Sequence, residues 1–236
     1  MTKRFEGQLA LVTGASRGIG AATAKALAAE GAHVILTART AGALEEVEEA
    51  IHAAGGTATI APLDLTESDS IARLATAVAE RWGALDILVL NAATLGSLSA
   101  VPAIDPGEFA RVMTLNVSAQ AAMIAAFDPA LRKSQHARVI ALTSSVGRKP
   151  RAYWGAYGAS KAAMETLVLA YGEEVEAISN IRVAVIDPGA TRTRMRERAY
   201  PGEDPAKVKP PEHVAARIVD LIAEDFETGH FERVAS

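Results

Sequence analysis

Short apolar segments alternate with longer helical segments along the chain, and this alternation constrains the fold more than any other feature of the sequence. The short segments lack an apolar–polar alternation, which is typical of strands buried on both faces of a parallel sheet. They cover residues 9–12, 34–36, 59–63, 85–90, 138–142 and 181–186. Segments with apolar residues at helical spacing, among them 106–131 and 157–178, separate them. We therefore predict an α/β fold, a doubly wound sheet with helices on both faces.

The composition agrees with one globular domain. The 236 residues are 50% hydrophobic and 22% charged, which suffices for one large core and excludes a disordered chain. A formal net charge of −4 provides no field that would attract nucleic acid or an anionic membrane. The chain has no cysteine, and its five histidines are scattered, so we expect no metal site. The first residues are too short and too polar for a signal peptide or a membrane span, and we expect a cytoplasmic protein.

A glycine-rich turn follows the first predicted strand and opens the first helix. Gly14 permits a tight turn there, and Gly18 and Gly20 allow the backbone to approach a pyrophosphate and the helix to pack on the sheet. The N-terminus of the helix then faces the phosphates. Glycine trios also occur in ordinary turns, but the position at the start of the domain predicts a dinucleotide site. The same turn contains Ser16, Arg17 and Ile19.

The residues after the second and third predicted strands indicate which dinucleotide binds. A carboxylate after the second strand would bind the ribose diol of NAD, but the chain has Thr37, Ala38 and Arg39 there. Arg39 and Arg17 could grip a 2′-phosphate, so we predict NADP(H) in preference to NAD(H), the alternative being two solvated arginines. Asp64, after the third strand, is expected either beside the adenine or as a cap of the next helix.

Three polar residues near the middle of the chain form a candidate catalytic group. Lys161 follows Tyr157 by four residues, so both lie on one face of a predicted helix, and a cation there is expected to lower the pKa of the tyrosine. Such a pair is common by chance. Ser144, however, lies thirteen residues before Tyr157, just after the fifth strand, at the edge of the sheet where ligands bind in such folds. The adjacent Ser145 is also near Tyr157, and only the resemblance described next, whose register fits Ser144, selects between the two serines.

These motifs together resemble the short-chain dehydrogenase/reductase family over nearly the whole chain. The resemblance rests on residues 13–20, Asn91-Ala92-Ala93, Asn116, Ser144, Tyr157 with Lys161, and Pro188-Gly189. Residues 144–148, 154–157 and 188–195 look like those of a YciK-like bacterial subgroup. The resemblance implies a Rossmann-like three-layer αβα sandwich with a mostly parallel seven-stranded sheet. It also implies an enzyme that transfers hydride between a nicotinamide cofactor and a carbonyl or alcohol.

The resemblance also implies a role for each residue of the candidate catalytic group. Tyr157 would donate the proton to the carbonyl oxygen, and Ser144 would orient and polarise that carbonyl. Lys161 would hold the nicotinamide ribose, and Asn116 would anchor a water that relays protons to Lys161. Further cofactor contacts are implied, besides those of the glycine-rich turn, Arg39, Asp64, Tyr157 and Lys161, at Leu65, Asn91, Ala92, Pro188, Gly189, Thr191 and Thr193.

The organisation of the chain is expected to be simple. We predict that residues 1–236 form a single dinucleotide-binding catalytic domain and that a long polar loop, about 190–210, forms a substrate lid. The resemblance implies a homodimer or homotetramer. The family usually has glycine at the position of Ala93, so we expect a slightly tighter backbone near the adenine ribose.

The substrate is expected to be a small carbonyl compound or alcohol, with a 3-oxoacyl thioester as one candidate. Seven cations are predicted around the cleft, and they would attract an anionic substrate unless they pair with Glu197, Glu203 or Asp204 or hold the cofactor phosphates. They are Arg148, Lys149, Arg151, Arg192, Arg194, Arg196 and Arg198. The alternative function is a nucleotide sensor without catalysis, which the retained tyrosine and lysine disfavour.

Overall fold

The computed structural model describes residues 3–67 and 69–235, and it contains a seven-stranded sheet in which all described strand pairs are parallel. The strands are β1 (Leu9–Thr13), β2 (His33–Ala38), β3 (Thr57–Pro62), β4 (Ile87–Leu90), β5 (Arg138–Leu142), β6 (Arg182–Asp187) and β7 (His230–Arg233). Their order across the sheet is β3-β2-β1-β4-β5-β6-β7. The predicted Rossmann-like sheet is therefore confirmed.

Nine helices connect these strands in the described part of the chain. They are α1 (Gly18–Ala29), α2 (Ala41–Ala53), α3 (Ser70–Arg81), α4 (Pro106–Met113), α5 (Ala119–Leu131), α6 (Ser145–Arg148), α7 (Gly155–Glu176), α8 (Arg194–Ala199) and α9 (Pro211–Ala223). Two short 3-10 turns cover Val101–Ala103 and Pro205–Lys207. None of the helices in the described residues is long and apolar enough to cross a membrane.

Two hydrophobic layers cover the two faces of the sheet. Ala10 and Val12 of β1 pack in one layer with residues of α1, α2 and α9. Leu9 and Leu11 pack in the other layer with residues of α3, α5 and α7. Successive residues of the strand thus face opposite layers, and both layers exclude water. This two-sided burial explains why the strands are apolar without alternation.

The order in which the chain adds strands to the sheet reverses between β1 and β4, and this reversal locates the crevice where ligands bind in such sheets. From β1 the chain builds outward to β2 and β3, and it then returns to place β4 on the other side of β1. Thr13 joins the two strand ends, because its Oγ1 donates to Val89 O (3.1 Å) and accepts from the backbone N–H groups of Asn91 (2.9 Å) and Ala92 (3.0 Å).

Two predicted segments differ from the structure in a way that affects the site. The helix predicted over 106–131 is interrupted by a π-helical turn, Thr114–Ser118, which holds Asn116 in a buried position. The polar loop predicted over about 190–210 instead contains α8, because Thr193 caps that helix by accepting a hydrogen bond from the backbone N–H of Arg196 (3.2 Å). The short helix α6 was not predicted.

Candidate active site

A cavity of about 730 Å³ opens at the carboxyl ends of the strands. It lies at the crevice that the reversal between β1 and β4 creates. The predicted site residues that line it are Gly14, Ser16, Arg17, Gly18, Ile19, Arg39, Asp64, Leu65, Asn91, Ala92, Ser144, Tyr157, Lys161, Pro188, Gly189, Thr191 and Thr193. The structure therefore brings together residues from seven separate segments of the chain. Gly20 and Asn116 are buried behind this lining.

The glycine-rich turn has the shape of a phosphate cradle. Gly18 has a φ of +56°, and a Cβ at Gly20 would lie 2.4 Å from Gly14 O and 2.5 Å from Asn91 Nδ2, so side chains are excluded at both positions. Arg17, the N-cap residue of α1, provides no side-chain capping bond. The first N–H groups of α1 are therefore available to an anion in the cavity. This part of the site fits the pyrophosphate of a dinucleotide.

The charged end of the cavity contains Arg17, Arg39 and Asp64. Both arginines are exposed, and neither forms an ion pair with a described carboxylate. Asp64 Oδ1 accepts hydrogen bonds from the backbone N–H (2.9 Å) and the hydroxyl (2.7 Å) of Thr66. These bonds, with the charge of Arg39, lower the pKa of Asp64. Asp64 closes its own turn and does not cap α3, which begins at Ser70.

Tyr157 and Lys161 lie one turn apart on α7, and both are almost completely buried. Lys161 Nζ donates a hydrogen bond to Leu142 O (2.7 Å) and lies 5.8 Å from the centre of the Tyr157 ring. Ser144 is the N-cap residue of α6 and lies two residues after the end of β5. A Cβ at Gly158 would lie 2.9 Å from Val146 O, so α6 and α7 are in close contact. The Ser144 turn and the Tyr157 helix are therefore fixed relative to each other.

Burial dominates the ionisation of this pair. It raises the pKa of Tyr157 well above its ordinary value of 10.0, and the negative charge of Asp187 raises it further. It lowers the pKa of Lys161 from 10.5 to about 8. The net pKa of Tyr157 is therefore raised and not lowered as expected, because the desolvation of the phenol outweighs the charge of the lysine, which bonds a backbone carbonyl. Tyr157 is consequently protonated at neutral pH and able to donate a proton.

Asn116 connects α7 to the loop after β4. Its Oδ1 accepts from Thr94 N–H (2.8 Å), and its Nδ2 donates to Thr94 O (2.9 Å) and to Ser160 Oγ (2.9 Å). Ser160 Oγ in turn donates to Tyr157 O (2.8 Å). Sequence reasoning missed Ser160, although a buried serine one turn after the candidate tyrosine is a signal that could have identified it. The network holds the backbone of Tyr157 in place.

Glu165 is a second buried polar residue that sequence reasoning missed. Its carboxylate accepts hydrogen bonds from Thr143 Oγ1 (3.0 Å) and from Arg148 Nε. Thr143 directly precedes Ser144, and Arg148 ends α6, so the carboxylate holds both ends of the turn that carries the serine. Glu165 follows Lys161 by four positions on α7, and this spacing places both residues on one face of the helix.

The predicted ring of cations is only partly present around the cavity. Arg148 pairs with Glu165 and stacks on Phe231, and Arg196 pairs with Glu203. Of the seven predicted cations, those that line the cavity are Arg192, Arg194, Arg196 and Arg198, all in the segment that contains α8. Arg192, Arg194 and Arg198 form no ion pair with a described carboxylate, so the segment predicted as the lid adds unpaired positive charge to that of Arg17 and Arg39.

The family model, the relative and the solved structures that match this chain agree with one another. A family model described as short chain dehydrogenase matches residues 8–204. The uncharacterized oxidoreductase YciK of Escherichia coli K12 is 37% identical over 221 residues, which are 92% of this chain and 87% of YciK. A solved structure of yciK from E. coli is similar with a TM-score of 0.95 and 35% identity, covering 100% of this chain and 98% of that one. A chain from E. coli CFT073, solved as a complex with NADPH, has a TM-score of 0.95 and 35% identity over 100% of both chains.

Proposed function

Because the chain belongs to the short chain dehydrogenase family of NAD(P)-dependent oxidoreductases, we propose that it is an NADP(H)-dependent enzyme that reduces a carbonyl to an alcohol, with Tyr157 as the proton donor. The observation that carries the proposal is the buried pair of Tyr157 and Lys161, which lines the same cavity as the glycine-rich turn. A nucleotide sensor would need neither side chain. The presence of both side chains therefore favours a catalytic function over nucleotide sensing.

The cofactor is proposed to occupy the cavity from the glycine-rich turn to Lys161. NADPH, when bound, supplies the hydride. The N-terminus of α1 would hold the pyrophosphate, and Arg17 and Arg39 would hold the 2′-phosphate. Further contacts are proposed at the lining residues named above, including Asp64, Asn91, Pro188, Gly189, Thr191 and Thr193. The NADPH that is present in the similar E. coli CFT073 chain supports this choice of cofactor.

The proposed chemistry of the protein side chains concerns the carbonyl oxygen. Tyr157 is protonated and aimed into the cavity, so its hydroxyl is the available acid. Ser144, at the end of β5, would donate a second hydrogen bond that polarises the carbonyl. Lys161, as an ammonium, would stabilise the phenolate that forms when the proton leaves, and it would hold the nicotinamide ribose. Asn116 is proposed to hold the helix that carries both groups and to anchor a water that relays protons to Lys161.

The proposal is tested by Tyr157→Phe, with Tyr171→Phe as the matched control. Both tyrosines lie on α7 and are largely buried, and the Tyr171 hydroxyl donates to Asp128 Oδ1 (2.8 Å), away from the cavity. We expect Tyr157→Phe to lower kcat by about 100-fold or more, since a general acid contributes at least about that factor. NADPH affinity, measured by fluorescence titration, should stay near wild type in both variants. More than about a tenth of the activity remaining in Tyr157→Phe would exclude it as the acid.

The cofactor preference is tested by exchanging the charge at the end of β2. We expect wild type to have a higher kcat/KM with NADPH than with NADH. Ala38→Asp with Arg39→Leu should reverse that order, because a carboxylate there repels the 2′-phosphate and binds a ribose diol. Equal kcat/KM values for the two cofactors in wild type would contradict the proposal.

The substrate is proposed to carry a negative charge, which Arg194 and Arg198 at the cavity mouth would attract. Rising ionic strength should then lower kcat/KM, because salt screens the attraction over about 10 Å at about 0.1 M. Arg198→Gln should raise KM more than it lowers kcat, and the exposed Arg73→Gln on α3 serves as the control. Salt-independent kinetics with an anionic carbonyl substrate, such as a 3-oxoacyl thioester on an acidic carrier, would refute this part of the proposal.

We also propose a lid, a domain organisation and an oligomeric state for the protein. The lid would comprise residues 190–210, whose helix α8 lies against the cavity through Met195 and Ala199. The chain would function as one catalytic domain in a homodimer or homotetramer. Light scattering of the purified protein determines the oligomeric state directly, and a monomeric mass would contradict it.

A further inference from the structure

Tyr200, at the C-terminal end of α8, is held on three sides by other residues. Its ring lies 5.7 Å from that of Trp154, measured between centroids, and the guanidinium of Arg196 lies 3.7 Å from its ring centre. Arg151 Nη1 donates a hydrogen bond to the Tyr200 hydroxyl. Arg196 is itself fixed by two hydrogen bonds to the carboxylate of Glu203. Tyr200 therefore joins the lid to the loop that precedes α7.

Trp154 continues this contact into the cavity. Its ring meets that of Tyr157 edge-on, with 6.0 Å between the centroids, and it lines the cavity wall. The preceding residue, Tyr153, has a φ of +71°, which is unfavourable for a side chain of this size. A hydrogen bond from Ser99 N–H to Tyr153 O (3.1 Å) fixes that turn. The strained residue thus directly precedes the tryptophan whose indole contacts Tyr157.

The surroundings of the Tyr157 ring are apolar. Leu95, Val146 and Tyr157 form a small buried cluster, against which four partly buried residues pack. Those four are Leu98, Trp154, Met195 and Ala199. A carbonyl that approaches the Tyr157 hydroxyl would therefore place its substituent against apolar side chains, of which the indole of Trp154 is the largest and flattest.

We propose that Trp154 is a specificity-determining residue that selects carbonyl compounds with a flat apolar group, such as an aryl ring, next to the carbonyl carbon. We further propose that Tyr200 is a positioning residue, which holds the indole of Trp154 against Tyr157. The inference rests on the proposed function, since it takes Tyr157 as the group that meets the carbonyl. The lid would then influence substrate choice through the contact between Tyr200 and Trp154, which lies outside the cavity.

The first test compares two neutral substrates, 4-nitrobenzaldehyde and propanal, with NADPH. We expect Trp154→Ala to lower the ratio of their kcat/KM values by about tenfold, because aromatic contact selectively favours the aryl aldehyde. Tyr200→Ala should lower the ratio by about threefold, and Tyr200→Phe, which keeps the ring but loses the hydroxyl, by less. NADPH affinity should not change. A ratio that Trp154→Ala leaves unchanged would overturn the specificity role.

The second test reads the position of Trp154 without any turnover. The chain has two tryptophans, and in the Trp82→Phe variant the emission comes from Trp154 alone. Trp82 lies after α3, beside His33, so its replacement leaves the lid contact intact. We expect Tyr200→Ala in this background to shift the emission to longer wavelength and to increase quenching by acrylamide at least about twofold. Unchanged emission would overturn the positioning role of Tyr200.

The two tests distinguish failure of the inference from failure of the proposed function. A wild type that reduces no carbonyl refutes the proposed function and, with it, the specificity role, whatever the emission shows. An active wild type whose aldehyde ratio is insensitive to Trp154→Ala refutes only the inference. An active wild type with both the altered ratio and the emission shift supports both.

Discussion

Replacing the buried Lys161 by methionine should remove one pH dependence of the folding stability. Lys161 is 4% exposed, and burial lowers its pKa from 10.5 to about 8. Between these two pH values the unfolded chain binds a proton that the folded protein does not. The free energy of unfolding therefore rises with pH through this window, because the cost of burying a charge disappears when the lysine is neutral. Methionine has a similar length and no proton to lose.

The size of the effect follows from the lowered pKa. The change from 10.5 to about 8, at about 1.4 kcal/mol per pH unit, corresponds to about 3 kcal/mol, of which about 2 kcal/mol falls between about pH 7.5 and about pH 10. The pH range of the experiment ends at about pH 10, because the raised pKa of Tyr157 contributes stability that is lost as the pH rises further. Loss of the hydrogen bond to Leu142 O lowers the stability of Lys161→Met at every pH and therefore does not affect the slope.

Urea denaturation of the cofactor-free protein, followed by circular dichroism at constant ionic strength, measures this difference. From about pH 7.5 to about pH 10, wild type should gain about 2 kcal/mol relative to Lys161→Met. Lys133→Met, at an exposed position, is the control and should follow wild type. If the difference between wild type and Lys161→Met stays constant with pH, the lysine is not desolvated as the structure implies.

Two further substitutions test the packing around the site. Gly20→Ala places a Cβ 2.4 Å from Gly14 O, so we expect weaker NADPH binding and a Tm lower by about 3–10 °C. Gly42→Ala, on α2 and with no atom nearer than 4.0 Å, should neither weaken NADPH binding nor lower the Tm. Equal Tm values in the two variants would contradict the cradle. Glu165→Leu leaves the charge of Arg148 unpaired and should lower kcat several-fold without changing NADPH affinity. Glu165→Gln should retain more activity than Glu165→Leu. Equal kcat values in wild type and both variants would contradict a role for this carboxylate.

Local patterns predicted the sheet and the glycine-rich turn well because the relevant information is local. The apolar run of β1 and the glycines that follow it are adjacent in sequence, and the structure places Gly18 at the first position of α1. The π-helical turn at Asn116 could not be predicted in this way. It accompanies hydrogen bonds to Thr94 and Ser160, which lie 22 and 44 residues away. Helical periodicity contains no signal for such partners.

The ionisation of Tyr157 shows the same limit and has a consequence for the direction of the reaction. The neighbours along the helix predict a lowered tyrosine pKa, whereas the raised pKa comes from burial and from Asp187, thirty residues later in the chain. A carboxylate near the phenol opposes the phenolate, which is the form that would accept a proton from an alcohol. The protonated phenol is the form that donates to a carbonyl. At neutral pH the surroundings of Tyr157 thus hold it in the form that donates a proton in reduction, and the phenolate needed for oxidation would require added positive charge or hydrogen-bond donors at the phenol oxygen.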